Sequence, residues 1–113
     1  MEVSFPSMET KTPRPVREQL VAQTAVVDLR SGKMIAAQTS DVSLGGCYLE
    51  TRDPMPVSTG IQLEMTYNDA SLVVFGDVVR CDPGKGMAVR FRALQPNQTA
   101  MLKSWFFIAS RSL

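Results

Sequence analysis

The sequence predicts a mainly β fold, in which about six short strands form a small antiparallel barrel with one helix at the C-terminal end. Three observations carry this reading. Residues 20–92 break into short apolar or β-branched runs, several of which alternate with the period of two that a half-buried strand shows. Turn-forming clusters separate the runs, at Ser31-Gly32-Lys33, Asn68-Asp69-Ala70 and Asp82-Pro83-Gly84-Lys85-Gly86. Apolar residues at helical spacing appear only after Pro96.

Residues 1–13 carry Pro6 and Pro13, several Ser and Thr, and no apolar period. They are expected to form a flexible arm ahead of a single domain spanning residues 14–113. Lys11, Arg14 and Arg17 then place three cations in seven residues, and Pro13 and Pro15 hold this segment towards extended geometry. Such a cluster is either a solvated tail or, because arginine presents a planar donor fork, a site for phosphate or a base edge.

Leu20–Leu29 is the first expected strand, and Ser31-Gly32-Lys33 turns the chain into Met34–Thr39. A short strand, Cys47–Thr51, follows the stretch Asp41-Val42-Ser43-Leu44-Gly45-Gly46, and a proline-bearing loop runs from Asp53 to Gly60. Ile61–Tyr67 alternates cleanly, with Ile61, Leu63, Met65 and Tyr67 directed inwards. Ser71–Arg80 is apolar on both faces, as in a strand covered on both sides, and Gly76 within it is expected to mark a bulge or bend. Met87–Arg92 alternates again and puts Arg90 and Arg92 on the outer face. Pro96 fits a first helical position, and Met101, Leu102, Trp105, Ile108 and Ala109 form an apolar stripe that Phe106 and Phe107 widen. This stripe is read as packing against the barrel or a partner.

Composition narrows the function. A chain of 113 residues makes one domain, long enough to bury roughly two thirds of its unfolded surface. Its net charge of +1 creates no global field, so DNA or RNA binding is not expected and any anion site is local. The first residues include an early acid and no apolar core, and no run approaches the roughly 18 apolar residues that span a bilayer. A cytoplasmic protein without membrane insertion is the expectation, with Cys47 and Cys81 reduced. The absence of histidine removes the commonest general base and zinc ligand. There is no C-x-x-C, no phosphate loop of the G-x-x-x-x-G-K-[ST] form and no visible carboxylate pair for acid–base work. A binding module is expected rather than an enzyme, with no catalytic residue, cofactor or metal.

The stretch from Asp41 to Gly46 is the candidate site. On an extended chain Asp41 and Ser43 share a face, and a carboxylate beside a hydroxyl suits a hydrogen-bond donor edge such as that of guanine. Gly45 and Gly46 then allow a sharp turn and close approach of a ligand. The same residues also describe a plain β-turn in which Asp or Ser bonds its own backbone.

From about residue 14 to residue 110 the chain resembles the PilZ domain family, bacterial cyclic di-GMP receptors built on a six-stranded antiparallel β-barrel. Asp41-x-Ser43-x-x-Gly46 matches the family's [D/N]-x-S-x-x-G motif. The proline loop ending in Gly60, the stretch GDVVRCDPGKGMAVRF from Gly76 to Phe91, and a closing helix with Leu102 and Trp105 also match. The family's R-x-x-x-R pair is represented by Arg14-Pro15-Val16-Arg17, which is one residue shorter. The resemblance implies a cyclic di-GMP receptor. Asp41 and Ser43 would hold a guanine, Gly45 and Gly46 would admit the backbone, and Arg14 and Arg17 would engage phosphates and stack on bases. Ordering of the arm would then signal to a protein partner, as yet unidentified. The alternative within the same family is a nucleotide-independent interaction module, working through the Trp105–Phe107 helix or an exposed strand edge.

Overall fold

Seven strands and one helix follow one another in the computed structural model, which describes residues 17–111. The strands are β1 (Glu18–Gln19), β2 (Gln23–Asp28), β3 (Met34–Val42), β4 (Gly46–Glu50), β5 (Gly60–Tyr67), β6 (Ala70–Asp82) and β7 (Gly86–Phe91). The helix is α1 (Pro96–Arg111). Strands lie side by side in the order β3-β2-β5-β6-β7-β4, all antiparallel, and β4 returns to β3 to close a six-stranded barrel. The short β1 adds to β3 as a seventh strand, with Glu18 opposite Val42 and Gln19 opposite Asp41.

Local turn chemistry sets the hairpins. Asn68 (φ 53°) and Asp69 (φ 63°) are both left-handed, as the two-residue turn between β5 and β6 requires. Between β6 and β7, Pro83 is followed by Gly84 at φ 74°, and the Lys85 amide donates to the Asp82 carbonyl at 3.0 Å. Proline at the second turn position and a left-handed glycine at the third are the demands of a type II turn.

The barrel interior is filled by Val26, Leu49, Ile61, Leu63, Val74 and Met87, all fully buried. Helix α1 caps one end. Gln98, at its third position, accepts the Gln95 amide hydrogen at 2.6 Å and donates its own amide to the Val73 carbonyl at 2.8 Å, so one side chain both caps α1 and ties it to β6. Leu102 and Trp105 are buried, and the Trp105 ring lies 5.6 Å from that of Tyr67.

Several sequence expectations need correction. β1 was not foreseen. The first long strand begins at Gln23 rather than Leu20, because Leu20–Ala22 is held through the buried Thr39 instead. The Thr39 hydroxyl accepts the Ala22 amide hydrogen at 2.8 Å and donates to the Leu20 carbonyl, while the Thr39 amide donates to the Ala22 carbonyl at 3.0 Å. β3 runs on through Asp41 to Val42, so the first two residues of the candidate motif belong to a strand. β6 is not covered on both sides: Val73, Phe75 and Val79 on its outer face are 40–42% exposed. Its bulge falls at Val79, between the pairs of Val78 and Arg80, and not at Gly76. Gly76 instead permits close strand approach, since a Cβ there would lie 2.7 Å from the Arg90 carbonyl oxygen and from a Val89 methyl. Phe107 does not widen the buried stripe; it points outwards beneath the Arg111 guanidinium, 5.3 Å away.

Candidate functional site

A bulge aims Asp41. The β3–β4 register slips at Ser40, between the pairs of Thr39 and Asp41. Strict alternation would put Asp41 on the inward face with Thr39; the extra residue reverses the phase, so Asp41 is partly exposed and Val42 is buried. β1 then sets Arg17 beside it, immediately before Glu18, and the Arg17 guanidinium donates to an Asp41 carboxylate oxygen. The two side chains are 57% and 32% exposed, so this is a surface ion pair open to exchange.

Ser43 begins the hairpin that follows. Its amide donates to the Gly46 carbonyl at 2.8 Å, while its buried hydroxyl accepts the Gly45 amide hydrogen at 3.1 Å and lies 3.4 Å from the Gly46 carbonyl. The Gly45 carbonyl accepts the Phe91 amide hydrogen at 2.9 Å, which fastens the hairpin tip to β7. Gly46 cannot be replaced without displacing β7, because a Cβ on it would lie 2.0 Å from the Val89 carbonyl oxygen.

Arg17 and the hairpin residues Ser43, Gly45 and Gly46 line a hollow of about 310 Å³ together with Arg90, and Asp41 is joined to it through its ion pair with Arg17. That volume lies at the lower end of the range for small-molecule sites, roughly 300–1,000 Å³. Arg90 is the site residue that sequence reasoning missed as a site residue. It stands directly opposite Gly46 in the β4–β7 ladder and opposite Asp77 in the β6–β7 ladder. Asp77 is nevertheless taken by Arg92, which donates to both carboxylate oxygens at 2.9 and 3.1 Å. The Arg92 hydrogen bonds, aided by its charge and that of Arg90, hold the Asp77 carboxyl below its ordinary range. The Arg90 side chain makes no hydrogen bond or ion pair among the described residues and is exposed at the hollow. The outward phase of Arg90 was legible in the sequence, but its neighbour Gly46 was not.

Of the expected site residues, Arg17, Asp41, Ser43, Gly45 and Gly46 thus come together, and Arg14 lies outside the described residues. Cys47, next to the hairpin, is buried; burial and the nearby Asp41 charge push its thiol up to about 12, against a smaller opposing influence of Arg17. It is a core residue and not a reactive thiol. Among the described residues no group of His, Cys, Asp or Glu is placed to hold a metal, and no helix is long and apolar enough to cross a membrane. A larger hollow, about 720 Å³, lies elsewhere, beside Tyr48 and Lys85. The smaller one is the candidate here because Ser43, Gly45 and Gly46 of the motif and the two arginines, Arg17 and Arg90, line it.

Comparison with curated proteins finds no match. Among solved structures, the chain is similar to the PilZ domain of YcgR from Escherichia coli, determined with c-di-GMP, at a TM-score of 0.72 and 15% identity over 90% of this chain and 94% of that one. It is also similar to the PilZ domain of CeSA from a cellulose-synthesizing bacterium, with a TM-score of 0.66, 16% identity and coverage of 82% and 97%. A third is the Bacillus subtilis inhibitor of motility MotI/DgrA, with a TM-score of 0.64, 14% identity and coverage of 91% of this chain and 52% of that protein. At such identities the likeness shows the fold alone. In sequence, the PilZ domain family model matches residues 10–107, nearly the whole of the barrel and helix, and the chain belongs to the PilZ domain family.

Proposed function

We propose that this chain is a cytoplasmic cyclic di-GMP receptor, a binding module and not an enzyme. Its site is the face formed by Arg17, Asp41, Ser43, Gly45, Gly46 and Arg90, with Arg14, which lies outside the described residues, as a further proposed contact. The observation that carries this reading is the Arg17–Asp41 pair, whose arginine lines a glycine-floored hollow. Asp41 supplies an acceptor for the N–H edge of guanine, and Arg17 a planar fork for phosphate or for stacking on a base.

The magnitudes favour exchange of this pair on binding. An exposed ion pair contributes about 0–1 kcal/mol, whereas a hydrogen bond to a charged group contributes roughly 1.5–3 kcal/mol. A ligand that gives Asp41 a guanine edge and Arg17 a phosphate therefore gains more than the pair loses. Arg17 and Asp41 cancel in charge, so the positive charge of the hollow rests on Arg90, and a dianionic dinucleotide fits that balance. Binding would engage Arg14 and order the arm of residues 1–13 over the 14–113 domain, which a protein partner then reads.

A second reading, a nucleotide-independent interaction module, is favoured by one observation. The Ser43 hydroxyl is already committed to its own hairpin and Arg17 to Asp41. Calorimetric titration of cyclic di-GMP into the whole chain, beside Asp41→Ala and Arg17→Ala, decides between them. The receptor reading expects micromolar or tighter binding, weakened about 10- to 150-fold by either substitution. No heat up to millimolar ligand would overturn it in favour of the interaction module.

A further inference from the structure

The barrel closes incompletely between β3 and β4. Their pairing begins at Gln38 opposite Glu50, although β3 already starts at Met34. A ladder of side chains marks the boundary: the Gln23 amide lies 3.4 Å from the Gln38 carbonyl oxygen, and the Gln38 amide donates to Glu50 at 3.2 Å. Two residues further along each strand, Arg52 would stand opposite Ala36. Instead the Thr51 amide donates to the Lys85 carbonyl at 3.0 Å, and the chain bends away at Arg52 and Asp53. The space a continued strand would fill is a hollow of about 720 Å³, with Ala36 and Ala37 on one wall and Thr51, Arg52 and Lys85 on the other.

This leaves Met34–Ala37 with β2 on one side and, among the described residues, no strand on the other. Alternate residues of a strand turn their backbone groups to opposite neighbours. Because Thr39 gives its amide hydrogen to Ala22 on the β2 side, Met34 and Ala36 direct theirs into the open groove. At β6, by contrast, the Val73 carbonyl is met by the Gln98 side chain of α1, and no side chain among the described residues does the same for Ala36. Unpaired edge groups of this kind are a template for another strand. The exposed Ala36 methyl leaves the approach open, and four residues of edge offer about 13 Å of pairing length. Arg52 and Lys85 on the facing wall are exposed and form no ion pair or side-chain hydrogen bond among the described residues. The one acid in the lining, Glu50, already accepts from Gln38.

We propose that this groove is a docking site for an extended peptide segment of a partner protein, which adds as a strand to Met34–Ala37 and sets acidic side chains against Arg52 and Lys85. Main-chain hydrogen bonds supply the affinity of such strand addition, and alternate side chains supply its specificity. The site is separate from the hollow at Gly46 and does not depend on nucleotide binding.

The test is an NMR titration of the whole chain with a capped six-residue peptide that alternates valine and glutamate. The expected result is shifts confined to the amides of Ala36, Gln38, Thr51 and Lys85, with exchange of the Ala36 amide slowed. The exposed double variant Arg52→Glu, Lys85→Glu weakens binding of this peptide at least about tenfold and accepts the lysine counterpart instead. Absence of shifts up to millimolar peptide, or equal binding by the double variant, overturns the proposal. Concentration-dependent shifts at the same amides without peptide also overturn it, by making a second copy of the chain the occupant.

Discussion

Arg92 holds both carboxylate oxygens of Asp77, although Asp77 stands directly opposite Arg90 in the β6–β7 ladder. This diagonal pairing leaves Arg90 to the hollow beside Gly46. Its consequence is measurable by calorimetry with cyclic di-GMP. Arg90→Gln weakens binding about tenfold or more, as loss of one charge-assisted contact does. Arg92→Gln weakens it in part, because Asp77 recaptures Arg90. Adding Asp77→Asn to Arg92→Gln restores the affinity. If the double variant binds as poorly as Arg90→Gln, the effect comes from damage to the strands and the assignment of Arg90 fails.

Gly46 and Gly32 separate the two physical reasons for glycine. At Gly46 a methyl would lie 2.0 Å from the Val89 carbonyl oxygen, and that oxygen belongs to a strand that cannot step aside alone. At Gly32 nothing lies within 4 Å, but φ is 78°. Gly46→Ala is therefore expected to cost about 3 kcal/mol or more, through overpacking and a displaced ladder. Gly32→Ala costs only about 1–2 kcal/mol, for a left-handed alanine. Urea unfolding of both variants checks the order. Equal losses would mean that β7 yields to the added methyl.

The Tyr48–Asp82–Arg80 cluster predicts a pH profile. The Tyr48 hydroxyl donates to Asp82 at 2.7 Å, Arg80 donates to the same oxygen at 3.3 and 3.4 Å, and the Arg80 guanidinium lies 5.5 Å from the Tyr48 ring centre. The Tyr48 hydrogen bond, followed by that of Arg80, holds Asp82 below its ordinary 3.8. The same bond, followed by partial burial, raises the Tyr48 phenol above 10.0. A lowered carboxyl contributes stability above its unfolded value and loses it as pH falls through the folded one. A raised phenol contributes stability below its unfolded value and loses it as pH rises through the folded one. The stability difference between wild type and Tyr48→Phe should thus be greatest between about pH 5 and 9 and shrink towards about pH 3 and 11. A difference that stays constant across that range would remove the ionic contribution.

Turns and phases were legible because they are local. Asn68-Asp69 and Pro83-Gly84 mark turns by themselves, and alternation alone placed Ile61, Leu63 and Met65 in the core. Strand edges at the bulges were not legible. An extra residue at Ser40 or Val79 leaves no mark in composition, since it exists only relative to the partner strand. Gly76 was visible as a special position, but its reason, the approach of Val89 and Arg90, lies in a distant strand. The candidate site shows the same division. The residues from Asp41 to Gly46 form one local motif that the sequence displays, whereas Arg90 reaches the hollow only through the β4–β7 pairing.

Thr39 links stability to the site. Its fully buried hydroxyl accepts the Ala22 amide hydrogen and donates to the Leu20 carbonyl, and this strap leads directly to β1 and Arg17. Thr39→Val keeps the shape and removes the hydroxyl, leaving the Ala22 donor buried without a partner. The expected loss is about 1–3 kcal/mol in urea unfolding. Thr39→Ser keeps the hydroxyl and loses one methyl, for about 1 kcal/mol. Because the strap positions Arg17, Thr39→Val also speeds amide exchange at Gln19 and weakens cyclic di-GMP binding, while Thr39→Ser retains both near wild type. If Thr39→Val lowers stability but leaves Gln19 exchange and binding unchanged, Thr39 serves the core alone and Arg17 is held by Asp41 without it.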